Sequence, residues 1–198
     1  LELINECMLR AKENVKLKVE KKNDGTLVTQ ADKDINHLIS TKLKSIFPPI
    51  PIISEEGNIN TELFMKDFYW LIDPIDGTSS YVKGKDSYSI NIALIHKGIP
   101  ILGIIANPPT NTIWYGFRKK ALVIKSNSVS YIKTSIFNKN KPKLILSNER
   151  DYKINEFIKQ IKEAKIDRLS SSLKFCKIAE GNANLYPRLN SISKWDIA

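Results

Sequence analysis

Cysteine and histidine are scarce in this chain of 198 residues, with two of each. Cys7 and Cys176 stand far apart and form no C-x-x-C or Cys/His spacing, which argues against a thiol-based metal or redox motif. Both fall in apolar helical patterns and read as small buried hydrophobes, a usage that suits a reducing compartment. His37 and His96 match no motif and read as surface residues. The opening LELINECMLRAKENV carries Glu2 and Glu6 and has no cleavage-site pattern, so it is not a signal peptide. The longest apolar region, 90–105, is broken by Asn91, His96, Lys97, Gly98 and Pro100, which excludes a membrane span there. There is no internal repeat and no low-complexity tract.

What is present is ordinary globular material, 42% hydrophobic and 26% charged, enough for one domain or two small ones with a real core. Lysine and arginine number 31 against 21 acidic residues, a formal charge of +10 that favours anionic partners. The lysines are scattered, as on a solvated surface, so nucleic-acid binding is discounted.

Ile4, Cys7/Met8, Ala11 and Val15 recur at helical spacing and predict a first amphipathic helix. Val15, Leu17 and Val19 alternate as a strand, with a turn at Asn23-Asp24-Gly25. A second helix opens at Asp32, carries Ile35, Leu38/Ile39, Leu43 and Ile46 on one face, and stops at Phe47-Pro48-Pro49. Strands follow at 51–54 and 68–72, then a meander through 87–117 with turns at Lys97-Gly98 and Asn107-Pro108-Pro109. Polarity rises over 137–142, a linker. Beyond it 144–146 is strand-like, and Ile154, Phe157/Ile158 and Ile161 mark a helix. Ser170–Ser172 are placed to cap a last helix that Gly181 ends. The class is α/β or α+β in layers, split into an α+β part over 1–138 and an α/β part over 139–198.

Four fragments carry chemistry. In WLIDPIDGTSSYVKG an apolar strand delivers Asp73 and Asp76, which converge if the chain turns at Pro74 and points the Ile75 carbonyl inward. Oxygen donors of that kind suit a hard cation such as Mg2+. Gly77 and Thr78 follow, and a helix starting there presents amides to a phosphate. A plain Asx-capped turn explains the same letters, and both readings stand. ISEEG puts Glu55 and Glu56 past a strand end, where ligand sites gather, although a charged loop is the simpler account. DGTLVTQAD places Thr29 and Asp32 at a helix start, where an ordinary N-cap is favoured. KWDIA sets Asp196 behind a tryptophan.

Taken in order along nearly the whole chain, these fragments resemble the inositol monophosphatase-like family of metal-dependent, lithium-sensitive phosphatases. Within it, SINIALIHKGIPILGIIANP and SSSLKFCKIAEGNANLYPRL look most like the bacterial 3′(2′),5′-bisphosphate nucleotidases. The resemblance implies a layered αβαβα fold with an incomplete carboxyl-terminal part. It implies that Glu55, Asp73, Asp76, Asp196 and the Ile75 carbonyl hold two or three Mg2+ ions, since crowded carboxylates need cations to offset their charge. It makes Asp32 and Thr78 the pair that orients or deprotonates the attacking water, and assigns phosphate oxygens to the Gly77 and Thr78 amides. Glu55, Asp76 and Asp196 also face the substrate. Ser171, Lys174 and Arg188 match nucleotide-contacting positions, although a helix cap and surface solvation explain Ser171 and Lys174 equally well.

The implied activity is release of the 3′-phosphate from adenosine 3′,5′-bisphosphate, a by-product of sulfate assimilation. The rivals are an inositol or other sugar phosphatase, and a non-catalytic basic protein that binds nucleotides or RNA. A phosphorylated small molecule is the expected partner and the cytoplasm the expected location, with peripheral attachment at the inner membrane left open. Leu27 stands where the family usually has proline, the opening helix is short, and the chain stops two residues after Asp196, so that residue is expected to be loosely held.

Overall fold

The computed structural model describes residues 1–13, 19–22, 25–58, 60–148, 151–161 and 163–198. The expected positions Val15, Leu17, Asn23 and Asp24 lie outside them. Helix α1 (Glu2–Glu13) buries Ile4, Cys7, Met8 and Ala11, one stripe at helical spacing. A short antiparallel hairpin, β1 (Val19–Lys21) with β2 (Leu27–Thr29), leads into α2 (Gln30–Ile46). Thr29 and Asp32 form a reciprocal capping box there, the ordinary N-cap that the residue pattern favoured. Ile35, Ile39 and Leu43 are buried on its inner face, whereas Ile46 is exposed at the frayed end before the two prolines.

Strands β3 (Ile52–Ser54), β4 (Phe68–Asp76), β5 (Ser89–His96), β6 (Ile99–Asn107), β7 (Thr112–Phe117), β8 (Lys120–Lys125) and β9 (Ser128–Tyr131) lie side by side in chain order. Only the β3–β4 pair is parallel, and residues between them include a 3-10 turn over Thr61–Met65. Trp70, Ile72, Ile90 and Ile92 face α1 and α2 in the main core. The alternate residues Tyr69, Leu71, Ala93 and Ile95 face the other way, against Phe64, Trp195 and Ala198. With both faces covered, β4 and β5 read as continuous apolar runs. His96 is half-buried and stacks on Phe68 with ring centroids 4.2 Å apart, which corrects its reading as a surface residue.

No helix or strand occurs over 132–142. Beyond it β10 (Lys143–Leu146) and β11 (Lys165–Arg168) pair in parallel, with α4 (Tyr152–Lys159) in the crossover. Phe157, expected on the buried face of α4, is 40% exposed. Helix α5 (Leu173–Ala179) packs Leu173 and Cys176 on Trp114 of β7, and Gly181 stops it in a left-handed conformation. A last short helix, α6 (Lys194–Ile197), lies on β4 and β5. Both cysteines are free and buried; burial pushes the Cys7 thiol up to about 12 and the Cys176 thiol upward as well. Among the described residues no helix is long and apolar enough to cross a membrane.

Candidate active site

Strand β4 does not stop at Ile72, as its apolar run suggested, but continues through Asp76. Its register with β5 runs evenly to Asp73 opposite Asn91 and then shifts, so that Asp76 lies opposite Ser89. Two residues, Pro74 and Ile75, therefore face the single Ile90, which makes a β-bulge. In an unbroken strand, residues three apart point to opposite faces. The extra residue reverses that parity and brings both aspartates to one side, and proline fits because the bulge leaves its position without a ladder hydrogen bond.

Carboxylate oxygens of Asp73, Asp76 and Asp196 all lie within 4.8 Å of one another. Asp73 is fully buried, and burial followed by the charges of Asp76 and Glu55 pushes its carboxyl well above the usual range. Burial, with Asp76 and Glu55, raises Asp196 to about 6. Asp196 is held more firmly than its place at the chain end suggested. Its carbonyl accepts from Ser172 Oγ at 2.9 Å, its amide donates to the Ser193 carbonyl at 3.2 Å, and Trp195 beside it packs in the second core.

Glu55 lines the same cavity as the three aspartates, and its amide donates to the Ile72 carbonyl at 3.1 Å. Its Oε1 is engaged by Lys22 Nζ at 3.2 Å, while the same ammonium donates to Glu56 at 2.6 Å. Burial alone would lower the Lys22 pKa; the contacts with Glu56 and Glu55 outweigh it and raise the group. No local pattern in the sequence singles out Lys22.

Asp32 Oδ2 accepts from the Thr29 amide at 2.8 Å and the Thr29 hydroxyl at 2.5 Å, which leaves Oδ1 facing Thr78 Oγ1 at 3.5 Å. Burial raises the Asp32 carboxyl above its ordinary value. The Thr78 hydroxyl donates to the Ile75 carbonyl at 3.0 Å, and Ile75 is among the residues lining the cavity. Gly77 precedes α3 (Thr78–Val82) with φ +87°, and a Cβ there would stand 3.2 Å from the Ser87 carbonyl and 3.3 Å from Ser171 Cβ. Glycine fits both the turn and the close approach.

Glu55, Asp73, Ile75, Asp76, Gly77, Thr78 and Asp196 line a cavity of about 750 Å3 together with Ser171, Lys174, Phe175, Tyr186 and Arg188, while Asp32 is outside that lining and faces it through Thr78. Lys174 is buried, donates to the Ser171 carbonyl at 2.6 Å and lies 5.3 Å from the Tyr186 ring centre; burial lowers its pKa. Arg188 is exposed and anchored, donating to the Ser191 carbonyl at 2.8 and 3.2 Å and to Tyr186 Oη at 3.1 Å. Ser172, expected to cap α5, occupies the cap position but makes no capping bond with its side chain. Its amide and hydroxyl both donate to Asp76 Oδ2, at 2.5 and 2.6 Å. Asn91 Nδ2 donates to Ser172 Oγ at 2.8 Å. A polar residue inside the apolar run of β5 was the signal available for Asn91.

The model of the inositol monophosphatase family matches residues 2–198. The CysQ protein of Buchnera aphidicola, named a 3′(2′),5′-bisphosphate nucleotidase, is 36% identical over 195 residues, covering 97% of this chain and 73% of that protein. CysQ of Salmonella typhimurium, of the same name, is 34% identical over 180 residues, covering 90% and 72%. In fold, the chain resembles CysQ from Bacteroides thetaiotaomicron, with a TM-score of 0.81 at 21% identity over 96% of this chain and 78% of that one. It also resembles an IMPase/NADP phosphatase solved with Mg2+ and phosphate, with a TM-score of 0.81 at 20% identity over 98% and 74%. Matched by the family model over almost its whole length, the chain belongs to the inositol monophosphatase family.

Proposed function

We propose that this protein is a Mg2+-dependent phosphatase that hydrolyses the 3′-phosphate of adenosine 3′,5′-bisphosphate, consuming one water and giving AMP and phosphate. The observation that carries the reading is the convergence of Asp73, Asp76 and Asp196 in one cavity that Thr78 also lines, with Asp32 facing the Thr78 hydroxyl from behind. The names of the curated relatives support the nucleotide as substrate.

The donor set fits the metal. All its atoms are carboxylate or carbonyl oxygens, the choice of a hard cation. Among the described residues no lysine, arginine or histidine forms an ion pair with Asp73, Asp76 or Asp196. Asp73, Asp76, Asp196, Glu55 and the Ile75 carbonyl would hold two or three Mg2+ ions. Bound there, Mg2+ supplies a Lewis acid that polarises phosphoryl oxygens and makes water a stronger nucleophile at neutral pH.

The protein's own groups supply the rest. The Gly77 and Thr78 amides hold phosphoryl oxygens. Thr78 Oγ1 orients the attacking water and takes its proton while passing its own to Asp32 Oδ1, the oxygen that Thr29 leaves free. Desolvation makes Asp32 a better proton acceptor than an exposed aspartate. Lys174 and Arg188 place positive charge for the second phosphate, and Ser171 gives a polar contact beside them. On this reading the stretch near residue 138 separates a metal- and phosphate-binding part from a substrate-recognition part, with Asp196 reaching back to the first.

Phosphate release from adenosine 3′,5′-bisphosphate and from inositol 1-phosphate, compared at saturating Mg2+, tests the assignment. Higher kcat/KM on the bisphosphate is expected. A preference for inositol 1-phosphate would overturn the nucleotide, and steeply salt-dependent RNA binding without turnover would overturn the enzyme.

A further inference from the structure

Ser172 is 1% exposed and stands where three segments of the cavity wall meet. Its hydroxyl lies 2.6 Å from Asp76 Oδ2 at the end of β4, 2.9 Å from the Asp196 carbonyl in α6, and 2.8 Å from Asn91 Nδ2 in β5. A hydroxyl has one proton to give. Asn91 donates into an oxygen lone pair, so the proton is left for Asp76 and the Asp196 carbonyl, and the shorter contact with the charged oxygen takes the larger share.

Asn91 itself is buried, and among the described residues its Oδ1 has no hydrogen-bond partner. The opposite amide orientation would offer that oxygen to the Ser172 hydroxyl and draw the proton away from Asp76. The orientation with Nδ2 toward Ser172 keeps the hydroxyl aimed at Asp76. With the Ser172 amide and hydroxyl, and longer contacts from Asn91 Nδ2 at 3.4 Å and Ser89 Oγ at 3.5 Å, Asp76 Oδ2 is surrounded by donors. The carboxylate is fixed by one oxygen, and Oδ1 is left for another partner.

We infer that Ser172, oriented by Asn91, is a positioning residue that locks the Asp76 carboxylate and ties it to the Asp196 segment, setting the affinity of the site for Mg2+. The inference rests on the metal reading above. A serine cap alone would leave the hydroxyl on the α5 amides, where it makes no bond.

Calorimetric titration with Mg2+ in the absence of substrate tests it, on the whole chain and on Ser172→Ala and Ser172→Thr, with metal-free melting measured alongside. Ser172→Ala keeps the backbone amide and loses the hydroxyl. Its Mg2+ affinity should fall about 10- to 100-fold, the usual effect of removing a partner of a metal ligand. Ser172→Thr, which keeps the hydroxyl, should bind Mg2+ within a few-fold of wild type. A folded Ser172→Ala with unaltered affinity, even if it melts lower, overturns the inference, as does a Thr variant no better than Ala. Should Ser172→Ala not fold, Asn91→Ala is read in the same way, and unaltered affinity there overturns the inference. Wild type that takes up no Mg2+ would overturn the metal reading and this inference with it, whereas normal wild-type uptake beside an unaffected Ser172→Ala overturns the inference alone.

Discussion

A carboxylate enclosed by protein and by other carboxylates is held against its own preference for water, and Asp73 is such a group. The strain is relieved by a proton or by a cation, and the site is arranged for a cation. Asp76→Asn keeps the shape and removes the charge. Its turnover should fall well beyond the about 100-fold typical of losing a ligand's hydrogen-bond partner. Near-normal phosphate release at high Mg2+ would contradict the role given to Asp76. Thr78 is a different case, because on the proposed reading its hydroxyl acts on the reacting water. Thr78→Ala should lower kcat by about 100-fold or more while KM changes little, read from steady-state kinetics. A change confined to KM would assign Thr78 to binding.

At the scale of elements, the helices other than α6 were legible because their signals are local. Ile4, Cys7/Met8 and Ala11 show the stripe of α1, and Thr29 with Asp32 shows the start of α2. Strands β8 and β9 were not anticipated. Their hairpins turn at Arg118-Lys119 and Ser126-Asn127, where both residues of each pair have positive φ. That is the geometry of a primed hairpin turn, usually announced by glycine and here built without it. Lys97-Gly98 has the same geometry and was legible through its glycine. Gly181 combines both kinds of constraint. A Cβ there would meet the Ser135 amide nitrogen at 3.0 Å and the Lys133 carbonyl at 3.1 Å, with φ already at +75°. Gly181→Ala should destabilise by about 1–2 kcal/mol from the left-handed backbone alone, with the contacts adding to it. Urea denaturation reads the loss: a fall of only about 1–2 kcal/mol would show that the loop over 133–135 yields freely, and an unchanged midpoint would contradict the backbone penalty as well.

Across the whole molecule, the site is assembled from distant parts of the chain, and this limited what the sequence could reveal. The acidic residues were visible as types, because Asp73, Asp76, Glu55 and Asp196 fall in recognisable fragments. Their companions were not. Ser172 reaches Asp76 across 96 positions and Asn91 reaches Ser172 across 81, and no local spacing encodes either contact. Lys22, just past β1, meets Glu55 and Glu56, just past β3, across 33 and 34 positions. A cage drawn from so many segments couples metal binding to folding. At Mg2+ about 100 times its dissociation constant, the melting temperature should rise about 5–10 °C. Asp76→Asn should blunt that rise, and a shift of equal size in the variant would separate the stabilising site from this one.

Phosphate release from adenosine 3′,5′-bisphosphate, followed as Mg2+ is returned to chelator-treated protein, shows whether the carboxylates form a cation-dependent phosphatase site. No release is expected without the metal, with saturable recovery as Mg2+ is added. Release that proceeds equally well in the presence of chelator would contradict that dependence.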